Sequence, residues 1–176
     1  MSNPELPAQL PGFDQPLDLL HACHGRIIEH CELIERIVAA LQGEVGDFDV
    51  QAAARQAVRY FSSSARQHHQ DEEQDLFPLL IRQSLKLADL VNELKQDHRR
   101  LDELWQAVEP GLKRLPEPDS AETFIANASA FCALNRQHVI RENTDFLPVA
   151  RSSLSSQQIK DIGRAMAQRR GARYPS

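Results

Sequence analysis

Cysteine is scarce in this sequence, and positive charge is not in excess. The three cysteines, Cys23, Cys31 and Cys132, are odd in number and form no C-x-x-C motif, which predicts reduced thiols in a cytoplasmic protein. The formal net charge of −5 leaves no basic surface of the kind that nucleic-acid-binding domains carry. Nucleic acid is therefore not an expected partner of this protein.

Long apolar runs are also missing. No stretch approaches the roughly 20 consecutive apolar residues that span a membrane, so we expect no membrane association. The N-terminal residues have neither the basic nor the apolar region of a signal peptide, so none is expected. What remains is a chain of 176 residues with 41% hydrophobic and 26% charged residues, which suits one globular domain with a sizeable core.

A repeated motif is the main feature of the sequence. The stretch from Gln67 to Pro78 reads Q-H-H-Q-D-E-E-Q-D-L-F-P, and the stretch from Gln137 to Pro148 reads Q-H-V-I-R-E-N-T-D-F-L-P. Both contain H-x-x-x-E-x-x-D, then two apolar residues and a proline. Residues four apart lie on one face of a helix, so each histidine and glutamate could contact the same ion. One copy has little weight, because such pairs arise by chance on exposed helices, but two matching copies indicate a metal site.

Apolar residues spaced alternately by three and four positions predict four long helices and one short one. The predicted spans are 17–41, 49–84, 87–115, 120–150 and, for the short amphipathic helix, 156–170. Long helices with short loops predict an all-α fold, an up-down-up-down four-helix bundle with a short extra C-terminal helix. The predicted domains are an extended, proline-rich N-terminal arm at 1–15, the bundle at 16–151, and the C-terminal helix and tail at 152–176.

Capping residues predict where two of these helices begin. Asp47 or Asp49 is a candidate N-cap for the second long helix. Asp119 together with Glu122 resembles a capping box at the start of the fourth.

Polar residues interrupt the apolar seams of all four long helices at one level of the predicted bundle. At about 1.5 Å per residue, all of them fall roughly 10–20 Å from the same end of the bundle. A seam histidine alone is more often a hydrogen-bonded core residue, but buried glutamates would be costly without a cation, so the whole set predicts metal. The predicted ligands are His24, His68, Glu72, His98, His138 and Glu142.

Imidazole and carboxylate ligands suit Fe, Zn or Mn, and two glutamates placed to bridge favour two ions over one. Successive helical residues point about 100° apart, so His69, Glu73 and His21 are predicted to flank the ligands. Asp75 and Asp145 are candidate acceptors that orient a ligand histidine. The expected grouping is His24 with His68 on one ion, His98 with His138 on the other, and Glu72 with Glu142 across both.

These residues resemble the hemerythrin-like family, the HHE cation-binding domain. The resemblance covers residues 17–151 and rests on Cys23-His24-x-x-Ile27, His68-x-x-x-Glu72-Glu73, Asp97-His98-Arg99-Arg100-Leu101 and His138-x-x-x-Glu142, with the prolines that follow. It implies a four-helix bundle holding a non-haem centre of two Fe ions, with Zn or Mn as alternatives. The glutamates and an oxo or hydroxo group would bridge the ions.

The sequence departs from the oxygen-carrying members of this family in two places. Those members have a second histidine four residues along the third helix, where this chain has Asp102, and they end in H-x-x-x-x-D, where this chain has His138-x-x-x-Glu142. The ligand set is one histidine short unless His21 or His69 supplies it. Asp102, His21 and His69 are therefore additional candidates.

The resemblance implies three functions for a centre of this kind. The first is binding or sensing of a small diatomic ligand, O₂ or NO, or of peroxide. The second is an enzyme or iron donor in peroxide or NO detoxification or in iron–sulfur cluster repair. The third is metal storage or buffering. A sensor of this kind would need a separate protein partner, which the sequence does not identify.

Overall fold

The computed structural model describes residues 11–117 and 120–175, and it contains no β-strand among them. This confirms the predicted all-α bundle with an extra C-terminal helix. Residues 1–10 of the predicted arm lie outside the described residues. The helices are α1 Pro16–Leu41, α2 Val50–Phe61, α3 Ser64–Gln70, α4 Phe77–Leu80, α5 Leu85–Lys113, α6 Ala121–Arg141, α7 Leu147–Ser153 and α8 Ser156–Arg169, with π-helical turns at Asp71–Leu76 and Glu142–Phe146.

The prediction of one continuous helix over 49–84 is wrong. This helical segment is interrupted between α2 and α3, and it ends at Leu80. The first interruption falls at a run of serines. The Ser63 hydroxyl donates to the carbonyl of Arg59 at 2.5 Å, and the Ser62 hydroxyl donates to Glu109 at 2.7 Å. Serine hydroxyls that bond the local backbone compete with the helical pattern, which explains a break between α2 and α3.

Both π-helical turns lie between a candidate glutamate and the following proline. The amide of Phe77 donates to the carbonyl of Glu72, and the amide of Leu147 donates to the carbonyl of Glu142, each across five residues. Proline has no N–H and its ring clashes with the carbonyl four residues earlier, so Pro78 disfavours a regular α-turn there. Widening the helix by one π-helical turn relieves that clash. Such turns are frequent at functional sites.

Capping residues were predicted for the helices that are α2 and α6 in the structure. Asp49 caps α2 by accepting from the amide of Ala52 at 2.8 Å, as predicted. The cap of α6 is Ser120, which accepts from the amide of Thr123 at 3.3 Å. The predicted capping residue Asp119 lies outside the described residues.

The bundle has two apolar clusters with a polar layer between them. One cluster fills the end around Phe61, Trp105 and Phe131, and the other surrounds Phe77 and Phe146. On α1, Ile37 is buried and Val38 is half-buried. The seam of α5 is buried throughout and continues just past the helix at Leu115; it consists of Leu87, Val91, Leu94, His98, Leu101, Trp105, Val108, Leu112 and Leu115.

The C-terminal helix α8 covers the second cluster. Its residues Ile162 and Met166 are 2% and 0% exposed and pack into that cluster. Gly163 lies directly against the carbonyl of Phe13, and a β-carbon at this position would overlap that oxygen. None of the helices in the described part of the chain combines the length and apolar character needed to cross a membrane.

Candidate metal centre

The residues predicted as ligands meet in the polar layer. They come from α1, from α3 with the π-helical turn that follows it, from α5, and from α6 with its own π-helical turn. Each is at most 2% exposed, although histidine and glutamate are usually at the surface. The six are His24, His68, Glu72, His98, His138 and Glu142.

Each glutamate directs one carboxylate oxygen to each side of this layer. On one side, Oε1 of Glu72 lies 3.3 Å from Nε2 of His68 and Oε2 of Glu142 lies 3.0 Å from Nε2 of His24. On the other side, Oε2 of Glu72 lies 3.4 Å from Nε2 of His98 and Oε1 of Glu142 lies 3.2 Å from Nε2 of His138. Ligand atoms within 4.8 Å of one another form one group from His24, His68, Glu72 and Glu142, and another from Glu72, His98, His138 and Glu142.

A third group contains His69, which the sequence predicted to flank the ligands and also gave as an additional candidate for the missing histidine. A ligand nitrogen of His69 lies within 4.8 Å of those of His98 and His138. Its ring stacks on that of His98 with centroids 4.0 Å apart. His68 and His69 are adjacent in sequence but belong to different groups, on different sides of the layer. We call His24 and His68 the two-histidine side, and His69, His98 and His138 the three-histidine side.

The other additional candidates do not join these groups. His21 is exposed, with its ring centroid 6.4 Å from that of His24. Asp102 is also exposed, and it lines a surface cavity beside His69 and His98. Neither residue belongs to a metal-ligand group within the described part of the chain.

Three of the histidines are oriented by a polar neighbour. Nδ1 of His24 lies 2.6 Å from Oδ1 of Asn143, and Nδ1 of His98 lies 2.7 Å from Oε1 of Glu73. An acceptor at Nδ1 fixes the ring so that Nε2 faces the layer. Nδ1 of His138 lies 3.4 Å from Asp97, whose carboxylate also accepts from Arg141 at 3.0 Å.

The acceptors predicted from the sequence, Asp75 and Asp145, are wrong. Asp75 pairs with Arg169 at 2.8 Å, and Asp145 is exposed. The residue directly after each ligand glutamate, Glu73 or Asn143, takes this role instead. The signal for it was present in the sequence, since Glu73 and Asn143 occupy the same position in the two copies of the motif.

The C-terminal helix also reaches the polar layer. Asp71, which precedes Glu72, is 0% exposed, and its carboxylate accepts from both Arg169 and Arg170. Nη2 of Arg170 lies 2.6 Å from Oδ2 of Asp71. Because a buried carboxylate needs paired donors, these arginines tie α8 to the π turn that holds Glu72. No local sequence pattern predicts this contact, since Arg169 and Arg170 lie 98 and 99 residues from Asp71.

The charges in the layer separate the histidines into two kinds. Burial lowers the pKa of His24, but the carboxylates of Glu142 and Glu72 outweigh burial and raise it to about 10. Carboxylates likewise outweigh burial at His98 and His138, raising their pKa values to about 9 and about 10. Their Nε2 atoms face each other at 3.1 Å, so the titrations of the two rings are coupled.

The remaining groups are neutral histidines and ionised glutamates. Burial lowers the pKa of His68, and it lowers that of His69 further together with the nearby charge of His98. Burial raises the pKa of Glu142, but the charges of His138 and His24 outweigh it and hold that pKa well below its usual range. His68 and His69 therefore favour the neutral form that binds metal, whereas His24, His98 and His138 would release a proton when a metal ion binds.

The donor atoms fit a metal ion better than they fit one another. Both oxygens of Glu72 and of Glu142 are buried without a hydrogen-bond partner, as are Nε2 of His24, His68 and His69. Several of these atoms approach within 3.0–3.3 Å, but they are not aligned as hydrogen bonds. Unpaired buried polar atoms are costly, and cations placed among them would satisfy them together.

A helical bundle with inward histidines and carboxylates at one level has the architecture of metal-binding four-helix bundles. The family model for the hemerythrin HHE cation binding domain matches residues 15–150. The chain therefore belongs to the hemerythrin HHE cation-binding domain family. A protein of Haemophilus influenzae described as uncharacterized is 26% identical over 164 residues, which cover 93% of this chain and 95% of that protein.

Proposed function

We propose that the protein holds two iron ions in a carboxylate-bridged pair and uses them to bind or sense O₂, NO or peroxide. The observation that supports a pair of ions is the arrangement of Glu72 and Glu142, each with one oxygen toward each histidine side. A carboxylate shared in this way bridges two ions rather than chelating one. Histidine and carboxylate ligands suit iron, with zinc and manganese as alternatives.

The unequal number of histidines supports binding of a small molecule. The two-histidine side offers two imidazoles and the three-histidine side offers three, with both glutamates common to the two sides. An ion on the two-histidine side would have one protein ligand fewer. That leaves room in its coordination sphere for an exogenous ligand, which a closed structural metal site lacks. The iron, when bound, would supply the redox chemistry toward O₂ or peroxide.

The test begins with metal analysis and an optical spectrum of protein from iron-replete cells. The proposal predicts about two iron ions per chain, because the layer has two histidine sides that share the carboxylates of Glu72 and Glu142. Absence of bound metal under iron, zinc and manganese supply would contradict it. Anaerobic stopped-flow mixing with O₂, NO or peroxide then separates the functions. A stable ligand spectrum supports binding, repeated turnover supports an enzyme, and loss of iron to an acceptor supports iron donation.

A further inference from the structure

The candidate ligands lie inside the bundle, yet two of them line a surface cavity. His69 and His98 form part of the wall of a cavity of about 160 Å³. At roughly 30 Å³ per molecule of liquid water, this space holds about five waters. It is therefore large enough for a partly hydrated metal ion, and it connects solvent with the three-histidine side.

The rest of the cavity wall is polar and rich in oxygen. Carboxylates come from Glu73 and Asp102, amides from Gln70 and Gln74, and one positive charge from Arg66. Carboxylate and amide oxygens are the ligands for which a hydrated divalent cation exchanges its water. Two carboxylates against one guanidinium also favour a cation over an anion or a neutral molecule in this space.

His69 separates the cavity from the polar layer. Its ring stacks on His98 with an interplanar angle of 15°, and its buried Nε2 has no hydrogen-bond partner. A second cavity of about 20 Å³ also borders His69, and apolar residues including Leu101 and Trp105 line it. The ring of His69 therefore has open space beside it on the outer side of the layer, unlike the fully enclosed His68.

We propose that divalent metal ions reach the buried centre through this cavity, which Asp102 and Glu73 make attractive to cations and which His69 closes from inside. The proposal rests on the proposed function, since it concerns loading of the same centre. Asp102 is part of the entrance and not a ligand. This gives a role to the exposed carboxylate that stands where oxygen-carrying relatives have a histidine.

The experiment compares Asp102→Lys with Glu103→Lys in the full-length, metal-free protein. Both residues are exposed carboxylates on α5, and only Asp102 lines the cavity. Stopped-flow absorbance follows uptake of Co²⁺ at physiological ionic strength, where charges more than about 8 Å apart are screened. We expect Asp102→Lys to slow uptake about tenfold or more, and Glu103→Lys to slow it less than about twofold. The final Co²⁺ content stays at the wild-type value in both variants.

A blocking variant tests the route independently of charge. Gln70→Trp fills the cavity, whereas Gln96→Trp places the same side chain at an exposed position of α5 outside it. A narrowed route slows Co²⁺ uptake and chelator-driven release by the same factor, so only Gln70→Trp changes both rates while the equilibrium affinity is unchanged.

Four results separate this proposal from its alternatives. Equal slowing by both lysine variants, or slowing by neither, would overturn it. Fewer bound Co²⁺ ions in Asp102→Lys would also overturn it, because Asp102 would then be a ligand. A wild-type protein that binds no Co²⁺, Fe²⁺ or Zn²⁺ would overturn the proposed function itself.

Discussion

In the first copy of the motif His68 is followed by His69, and in the second copy His138 is followed by Val139. The outer partners differ as well. On the three-histidine side, Glu73 and Asp97 place carboxylates at Nδ1 of His98 and His138. On the two-histidine side, His24 has the neutral amide of Asn143, and Nδ1 of the buried His68 has no partner.

The difference indicates unequal affinities for two ions. A carboxylate at Nδ1 makes an imidazole more basic and orients it, so the three-histidine side has both more ligands and better-supported ones. Its ion should bind first and dissociate last. The two-histidine side should hold its ion more weakly and leave it open to exogenous ligands. The repeat thus supplies the same ligand positions twice, and their neighbours make the two sides different.

Removal of a shared glutamate should have the largest effect, because each contributes to both sides. Glu72→Ala and Glu142→Ala are each expected to lose both ions during dialysis, as measured by metal analysis. Glu103→Ala removes an exposed carboxylate of the same size and should retain the wild-type content. Two ions retained by either of the first two variants would contradict the shared arrangement.

The metal-free and metal-loaded proteins should depend on pH in opposite ways. A pKa raised from 6.5 to about 10, as at His24, stabilises the metal-free fold below pH 6.5 and ceases to do so as the pH rises through about 10. Metal binding requires neutral imidazoles, so the loaded protein instead loses stability as the pH falls. Thermal unfolding from pH 5.5 to 10, with and without a chelator, checks both slopes. At neutral pH the loaded protein should have the higher melting temperature. Parallel slopes would indicate a hydrogen-bonded layer without metal.

His69→Val makes the first copy of the motif match the second. This variant removes a ligand of the tighter ion, so we expect its affinity for that ion to fall by more than tenfold. Tenfold is roughly the effect of removing only an outer hydrogen-bond partner. The weaker ion should be little affected, so the two affinities should converge in an equilibrium titration. Unchanged affinities would show that His69 flanks the ligands and binds neither ion.

Exchange of the outer acceptors should have the smallest effect. Glu73→Gln replaces a carboxylate by an amide at His98 and should weaken the tighter ion about tenfold. Asn143→Asp makes the reverse change at His24 and should strengthen the weaker ion by a smaller factor. Competition with a coloured chelator measures both affinities. If the two variants shift their affinities in the same direction, the charge of the acceptor does not cause the unequal affinities of the two sides.

The sequence predicted the bundle and the ligand layer because both depend on helical periodicity. From Leu87 to Leu115, the seam of α5 alternates steps of four and three residues, and every position on it is buried. His69 was predicted mainly to flank the ligands, because successive residues of a regular helix point about 100° apart and only one of two neighbours can face the seam. The proline after each copy of the motif was a signal for the π-helical turns, and it was used only as part of the repeated motif.

The contact of α8 could not be inferred from any local pattern. Asp71 is buried by Arg169 and Arg170, and periodicity places neither arginine near the motif. Pairing between residues this far apart depends on how α8 packs on the second apolar cluster, through Ile162 and Met166.

Equilibrium titration of the metal-free protein with Fe²⁺ under anaerobic conditions tests the central claim most directly, when wild type, His68→Ala and His138→Ala are compared. The claim predicts two ions of unequal affinity in the wild type. It further predicts that His68→Ala loses the weaker ion and that His138→Ala loses the tighter one. A single binding event in the wild type, or the same loss in both variants, would contradict two unequal sides that share Glu72 and Glu142.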